Sequence, residues 1–419
     1  MDKIGFIFPG QGSQYIGMGR ELYNESADAM RTFDEANDVL GFDLKKICFE
    51  GNLRELNRPE IMLPAILTAS VAAFRVYMRE IGTEPAFLAG HSLGEYSALT
   101  CSDVISFADA VKLVRLRSEL AAQVKDGMMS VINGVSLREI RDACLQQATP
   151  GEPLALACWN GSDQFVISGH EQAVIRAEDQ LSVSNGQVTP ILQSPPFHSP
   201  LMEGMVSQMK DEVEKLTLGS FRYPVISNVT ALPYERPEQV VEHLARQLVE
   251  TVRWYETLAF MQAQGVRLTI ELGPKSVLSD LIPRDMGITA MSFGKKDSRS
   301  AMKERLQTIR NPHTPTIVTR SLAIAAATRN RNADTEEYRL GVEVPYEQIE
   351  QLQARLEEGG LVPTEEQMKQ ALIWLGQIMR TKRAPLEEQL RRFRQILEDT
   401  GTEELLADFP FCQDATVTV

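Results

Sequence analysis

Residues 86–96 read AFLAGHSLGEY, and how this stretch is parsed decides the fold. Ala86 to Ala89 is a short apolar run entering Gly90, and from Glu95 onward the residues favour a helix. Between them lies Gly90-His91-Ser92-Leu93-Gly94, a G-x-S-x-G element bounded by a predicted strand and a predicted helix. Small residues on either side of the serine let the chain bend sharply, so that the hydroxyl projects and the next amide points at a reacting oxygen. A helix N-terminus at the same point favours developing negative charge. An ordinary strand-to-helix turn uses the same glycines, so the motif gains meaning only from its surroundings.

Outward from that turn the alternation continues. Ile4 to Phe8 is an apolar run ended by Pro9-Gly10, a buried strand breaking into a turn, and helical patterns follow from Gly19 to about Leu40 and from about Pro64 to Ile81. This predicts an α/β core with a parallel sheet. From Met128 to Gln193 the character changes: strand 129–135, helix 136–147, strand 154–160, strand 164–168, helix 171–181, strand 187–192. That βαββαβ order is a ferredoxin-like unit set into the larger one. The core then resumes with strand 224–228, helix 237–264 and strand 268–271. The expected organisation is an α/β-hydrolase-like catalytic subdomain over 1–127 and 194–296, a ferredoxin-like small subdomain over 128–193, and a C-terminal extension over 297–419. In that extension 311–319 reads as a linker, and 346–358, 364–380 and 385–399 as amphipathic helices. A small helical bundle or arm is the plain reading, with docking as the alternative.

Composition narrows the function. The 419 residues are 43% apolar and 24% charged with a formal charge of −14, which fits a globular protein with no global field for nucleic acid or an anionic membrane. An acidic partner would be repelled overall and would need a local basic patch. Five scattered cysteines with no C-x-x-C pair suit a reducing compartment and argue against a disulfide frame or thiolate zinc site. No cluster has metal-ligand spacing, so no metal and no organic cofactor is expected. No signal peptide and no apolar run near the roughly 20 residues of a membrane helix is read, so the expected location is cytoplasmic.

A serine nucleophile needs a base, and the chain offers five histidines. His91 adjoins Ser92 on the turn, where neighbouring side chains diverge, and reads as a packing or hydrogen-bonding residue. His170 sits at a helix start, His243 in a polar helical stretch, and His313 in the proline-bounded linker. His198 lies in Ser194-Pro195-Pro196-Phe197-His198-Ser199-Pro200, a loop that prolines stiffen, which suits a base that must hold one geometry. Esterases with this elbow place an acid between serine and histidine in the chain, and none stands out here. A Ser–His dyad, with the imidazole oriented by a carbonyl or amide, is the better expectation. Arg117 shares its helix face with Leu113, Val114, Leu120 and Ala121, so its guanidinium requires an anion. An internal carboxylate or a substrate carboxylate would serve.

Together Phe8-Pro9-Gly10-Gln11-Gly12-Ser13-Gln14, Gly90-His91-Ser92-Leu93-Gly94-Glu95-Tyr96, Arg117, Asn160, Pro196-Phe197-His198-Ser199 and Glu271-Leu272-Gly273-Pro274 resemble malonyl-CoA:acyl carrier protein transacylases of fatty acid and polyketide synthesis. The look is that of free-standing acyltransferases serving polyketide or lipopeptide assembly lines in trans. The resemblance covers residues 1 to about 296. It implies a ping-pong reaction in which Ser92 takes malonyl from malonyl-CoA, with His198 as base, and passes it to the phosphopantetheine thiol of an acyl carrier protein or of a synthase's carrier domain. It also implies an oxyanion hole at the amides of Gln11 and Leu93, a partner for the histidine ring near Gln247, and carboxylate binding by Arg117. His91 and Asn160 are implied as supporting residues, and Phe197 as the bulk that crowds an α-methyl branch. The Gly10-Gln11-Gly12 turn superficially suggests a dinucleotide loop, but Tyr15 stands where the third glycine of G-x-G-x-x-G belongs. Two other readings stay open: an acyl hydrolase that clears stalled carriers, which needs no carboxylate clamp, and a non-catalytic carrier-docking module, which needs no dyad.

Overall fold

The computed structural model describes residues 3–191, 194–294, 296–309, 316–359, 363–400, 402, 405 and 406. Its strands are, in chain order, β1 (Lys3–Phe8), β2 (Phe87–Gly90), β3 (Gly127–Asn133), β4 (Leu154–Trp159), β5 (Gln164–His170), β6 (Gln187–Ile191), β7 (Val225–Ile226), β8 (Val266–Glu271) and β9 (Thr289–Ser292). Five of them form an all-parallel sheet in the order β7-β2-β1-β8-β9. β1 is central, and Phe6, Ile7 and Phe8 are fully buried, as expected for a strand covered on both faces. Its register pairs Phe8 with Gly90, so the loops leaving β1 and β2 emerge side by side at the carboxyl edge of the sheet. That edge is where open parallel sheets hold their ligands.

The helix Pro59–Glu80 covers this sheet. It begins with proline at its first position, where the missing N–H costs nothing, and carries Pro64 inside its second turn. The sequence reading placed its start near Pro64 and saw no run of membrane-spanning length. In fact these 22 residues are long and apolar enough to cross a membrane, but 89% of the apolar window lies inside the fold. It is a core helix.

The remaining strands form an antiparallel sheet in the order β4-β5-β3-β6, with helices Leu137–Gln147 and Glu171–Val183 on one face. Ile132, Ile140, Phe165, Ile167 and Leu181 fill the space between. Ser136 and Glu139 make a reciprocal capping box that fixes the first of these helices. A parallel bridge between Cys158 and Val252 joins β4 to the larger sheet's half of the unit.

Three local readings need correction. The expected helix 19–40 is interrupted at Ser26, whose hydroxyl caps the second segment by accepting from the Asp28 amide. The expected helix 237–264 is two helices, Gln239–Gln247 and Trp254–Ala263. Between them the backbone pairs elsewhere: the Leu248 carbonyl accepts from the His198 amide and Val252 bonds to the β4 backbone. β9 carries no alternation and was not anticipated. The last expected residue of strand 187–192 lies outside the described residues.

The chain divides into two compact units, residues 2–302 and 303–419. In the second, Val344–Gly359, Glu365–Thr381 and Leu386–Thr400 are helices. Thr316 caps a further helix, Ile317–Ala327, where the sequence suggested linker as far as Thr319. Its Ile-Val-Thr start and alanine-rich end show no polar face to betray it. Ile317, Ile324, Ile349, Leu372, Leu375, Ile378, Phe393 and Ile396 build a core of this unit's own. Inside it the Lys382 ammonium donates to the carbonyls of Ala325 (2.7 Å) and Thr328 (3.2 Å), satisfying a helix C-terminus from within.

Candidate active site

The turn after β2 is as tight as its glycines suggest. A Cβ on Gly90 would lie 1.8 Å from the Gly94 carbonyl carbon, and one on Gly94 would lie 2.0 Å from the Phe8 carbonyl oxygen. Ser92 sits between them at φ 53°, ψ −105°, a conformation side chains rarely adopt. It is held there by Asn228, whose Oδ1 accepts from the Ser92 amide (2.7 Å) and whose Nδ2 donates to the Gly90 carbonyl (2.7 Å). The loop after β1 presses against this turn: a Cβ on Gly10 would meet the His91 carbonyl at 2.6 Å. Among the described residues no protein acceptor takes the amide of Gln11 or of Leu93.

His198 reaches the same point from the proline-rich segment. Its backbone is also left-handed, with φ 60°, and its amide is tied to the Leu248 carbonyl. The ring Nδ1 donates to the Gln247 carbonyl (2.6 Å), which leaves the Nε2 lone pair facing Ser92 Oγ at 2.7 Å. The Gln247 carbonyl is available because this residue ends its helix, where carbonyls lack intrahelical donors. Burial, and then the Arg117 charge, lower the pKa of His198 to about 3, so the ring is neutral at physiological pH.

Arg117 is 1% exposed and donates from Nη2 to Ser92 Oγ (3.0 Å). Among the described residues it has no ion-pair partner, and its Nε is buried without an acceptor. The internal carboxylate that the sequence left open does not pair with it among the described residues, although the charge of buried Glu95 acts on it from farther off. The guanidinium lies over the Phe197 ring at 4.3 Å and near the Tyr96 ring at 5.7 Å, two faces that fix its plane. Phe197 thus supports the arginine, a contact its neighbours in sequence give no hint of.

His91 points away from Ser92 Oγ. Its Nε2 meets Asn160 Oδ1 at 2.8 Å, and its ring packs edge-on against Trp254. His170 caps the helix Glu171–Val183, and His243 packs against Tyr234. His313 lies outside the described residues.

Sequence reasoning missed a buried carboxylate. Glu95, fully buried, accepts from Tyr234 Oη (2.6 Å), from Gln247 Nε2 (2.6 Å) and from the Asn228 amide (3.3 Å). The same Gln247 amide nitrogen donates to the Ser92 carbonyl (3.0 Å). Burial raises the Glu95 pKa to about 7 against the pull of these donors. A signal existed: Glu95 is the one charge in the otherwise uncharged helix Leu93–Cys101, so it had to be buried and partnered. Asn228 and Tyr234 gave none, being brought in from a distant segment.

These residues can do acyl chemistry: a hydroxyl against a neutral imidazole, two unspent amides beside it, and a pre-formed cationic fork. Comparison with known proteins agrees. An acyl transferase domain family matches residues 5–314. A malonyl CoA-acyl carrier protein transacylase of Bacillus subtilis is 37% identical over 401 residues, 93% of this chain and 99% of the relative. That span takes in most of the C-terminal unit. The transacylase of Escherichia coli K12 is 37% identical over 309 residues, 73% of this chain and all of the relative. The crystal structure of an acyl carrier protein S-malonyltransferase from Vibrio cholerae superposes with a TM-score of 0.69 at 38% identity, covering 72% of this chain and 99% of that one. A malonyl-transacylase solved in complex with its type II polyketide acyl carrier protein gives 0.70 at 36% identity, covering 72% and 99%. The fold, the parallel sheet with its small antiparallel companion, is that of these structures, and the chain belongs to the malonyl-CoA:acyl carrier protein transacylase family.

Proposed function

We propose that this chain transfers malonyl from malonyl-CoA to the phosphopantetheine thiol of an acyl carrier protein, by way of a malonyl ester on Ser92. Ser92 Oγ attacks the thioester carbonyl as His198 Nε2 takes its proton. The resulting oxyanion accepts from the amides of Gln11 and Leu93. Collapse expels the CoA sulfur, which His198 reprotonates. The carrier thiol then gives its proton to His198, attacks the ester carbonyl, and the alkoxide of Ser92 recovers the proton. Throughout, the Arg117 fork holds the free carboxylate in a bidentate grip. Phe197 stacked on that fork narrows the space beside the malonyl α-carbon, a preference against a methyl branch worth about 1–3 kcal/mol. The reaction belongs to fatty acid or polyketide synthesis and to the cytoplasm, a setting with which the four cysteines among the described residues, unpaired and buried, agree.

The observation that carries the reading is the buried arginine that touches the serine hydroxyl and has no ion-pair partner among the described residues. A hydrolase has no need of it. The test is intact-protein mass spectrometry after brief exposure to malonyl-CoA, then addition of holo carrier protein. A malonyl adduct that persists alone and moves to the carrier is expected, and Ser92→Ala should carry none. An adduct lost to water at the same rate with or without carrier would favour the hydrolase, and an adduct on Ser92→Ala would remove this serine from the role.

A further inference from the structure

The turn that follows β1 holds a serine that the chemistry above leaves unused. Ser13 is fully buried, and its Oγ donates to the Gly10 carbonyl (2.8 Å), which also accepts from the Ser13 amide (3.3 Å). The amide bond alone closes the four-residue turn from Gly10 to Ser13. Gly12, at φ 102°, supplies the left-handed third position that type II turns give to glycine. The hydroxyl is therefore not needed to close the turn. Its bond is the shorter of the two, and both converge on one oxygen.

What that oxygen controls is the direction of a neighbouring N–H. The Gly10 C=O and the Gln11 N–H belong to one trans peptide, a rigid plane in which the two bonds point in opposite directions. Such a plane can rock about the line between its flanking α-carbons, swinging both bonds together. Pinning the carbonyl on the Ser13 side aims the Gln11 N–H the other way. The turn's other groups are committed: the Gly12 amide donates to Gln14 Oε1 (2.8 Å), the Gly12 carbonyl accepts from Lys275 Nζ (3.1 Å), and Gln11 Nε2 donates to Ser194 Oγ (3.2 Å). Of the amides of residues 11–13, only that of Gln11 lacks a protein acceptor among the described residues. The elbow lies beside it, since a Cβ on Gly10 would be 2.6 Å from the His91 carbonyl oxygen and 3.8 Å from the Leu93 amide nitrogen.

We infer that Ser13 is a positioning residue for the reaction, acting on the oxyanion through the Gly10–Gln11 peptide. Its hydroxyl holds the plane so that the Gln11 N–H meets the developing charge without reorganising. By drawing electron density from the Gly10 carbonyl it also makes that N–H a stronger donor. The effect is confined to states in which the acyl oxygen carries negative charge. Both half-reactions pass through such a state, so both depend on Ser13. This rests on the acyl-transfer reading above.

The test is single-turnover kinetics on Ser13→Ala and Ser13→Cys. Three quantities are read: the acylation rate at saturating malonyl-CoA, the malonyl-CoA concentration giving half that rate, and the rate of transfer from malonyl-enzyme to holo carrier protein. Losing a whole oxyanion donor costs about a hundred- to a thousandfold, so misaiming one should slow acylation and transfer alike by about tenfold or more. The half-saturation concentration should move by less than about twofold, because the bound ground state has no oxyanion. Cysteine keeps the shape of serine with a much weaker donor, so Ser13→Cys should match Ser13→Ala and keeps the test alive if alanine fails to fold. Unchanged rates would overturn the inference, as would a change in the half-saturation concentration alone or slowing of only one half-reaction. Failure of the acyl-transfer reading is a different result: wild-type protein that malonyl-CoA does not acylate.

Discussion

Replacing Arg117 by alanine is the sharpest perturbation of the site. The guanidinium is 1% exposed, lacks an ion-pair partner among the described residues, and stands 3.0 Å from the serine hydroxyl. A bidentate grip on a malonyl carboxylate comprises two charge-assisted hydrogen bonds of about 1.5–3 kcal/mol each, so about 3–6 kcal/mol is lost. At about 1.4 kcal/mol per decade this lowers kcat/KM for malonyl-CoA by roughly two to four orders of magnitude. Acetyl-CoA has no carboxylate to lose. Its acylation should hold or rise, because the nucleophile sheds a donor and His198 sheds the positive charge that helps depress its basicity. The assay is mass spectrometry of the acyl-enzyme after brief exposure to an equimolar mixture of the two thioesters. The malonyl-to-acetyl ratio should fall at least a hundredfold, and Arg117→Lys, which keeps the charge but not the fork, should lie between. An unchanged ratio in a folded Arg117→Ala protein would refute the clamp.

Other outcomes follow from the same geometry. Because burial holds the His198 pKa near 3, so that the ring is neutral, a base at this position predicts an acid limb of kcat/KM well below pH 6.5; a limb at the ordinary histidine value would contradict the burial argument. Stability should respond in the same window. The unfolded chain takes up a proton on this ring below about pH 6.5 and the folded one refuses it until much lower, so this group's contribution is lost as pH drops from about 6.5 toward 3, readable as a falling Tm. Glu95→Gln puts an amide where Gln247 Nε2 and Tyr234 Oη both donate, which should cost about 2–3 kcal/mol of stability and lower kcat more than it raises KM; unaltered kcat would show that the network does not hold the dyad. Gly10→Ala sets a methyl 2.6 Å from the His91 carbonyl and must displace the loop that carries Gln11, so acylation should slow at least tenfold in a protein that remains folded by circular dichroism.

Much of this architecture could be read from the chain because its signals are local. Strand, small-residue turn and helix follow one another within residues 86–101, and the βαββαβ order is spelled out by period alone. His198 stood out by its prolines, and Arg117 by an apolar helix face. What stayed hidden was long-range. The break between Gln247 and Trp254 is dictated by backbone partners on β4 and at His198, not by any breaker in the sequence. Asn228 follows a two-residue strand, too short for periodicity, and acts on a turn 136 positions away. β9 and the helix Ile317–Ala327 are held by packing that no residue near them announces.

Gln247 has a consequence for the whole molecule. Through one residue's carbonyl and side chain it grips both the imidazole and the serine backbone, on the parallel-sheet side of the cleft. Ser92, His198, Arg117, Phe197 and the Gln11 amide all stand on that side, while from the antiparallel sheet's end Asn160 meets His91. Bond-making is thus vested in the piece of chain that builds the parallel sheet. Grafting a different antiparallel sheet onto this body should leave formation of the acyl-serine in place, because none of these groups comes from that sheet.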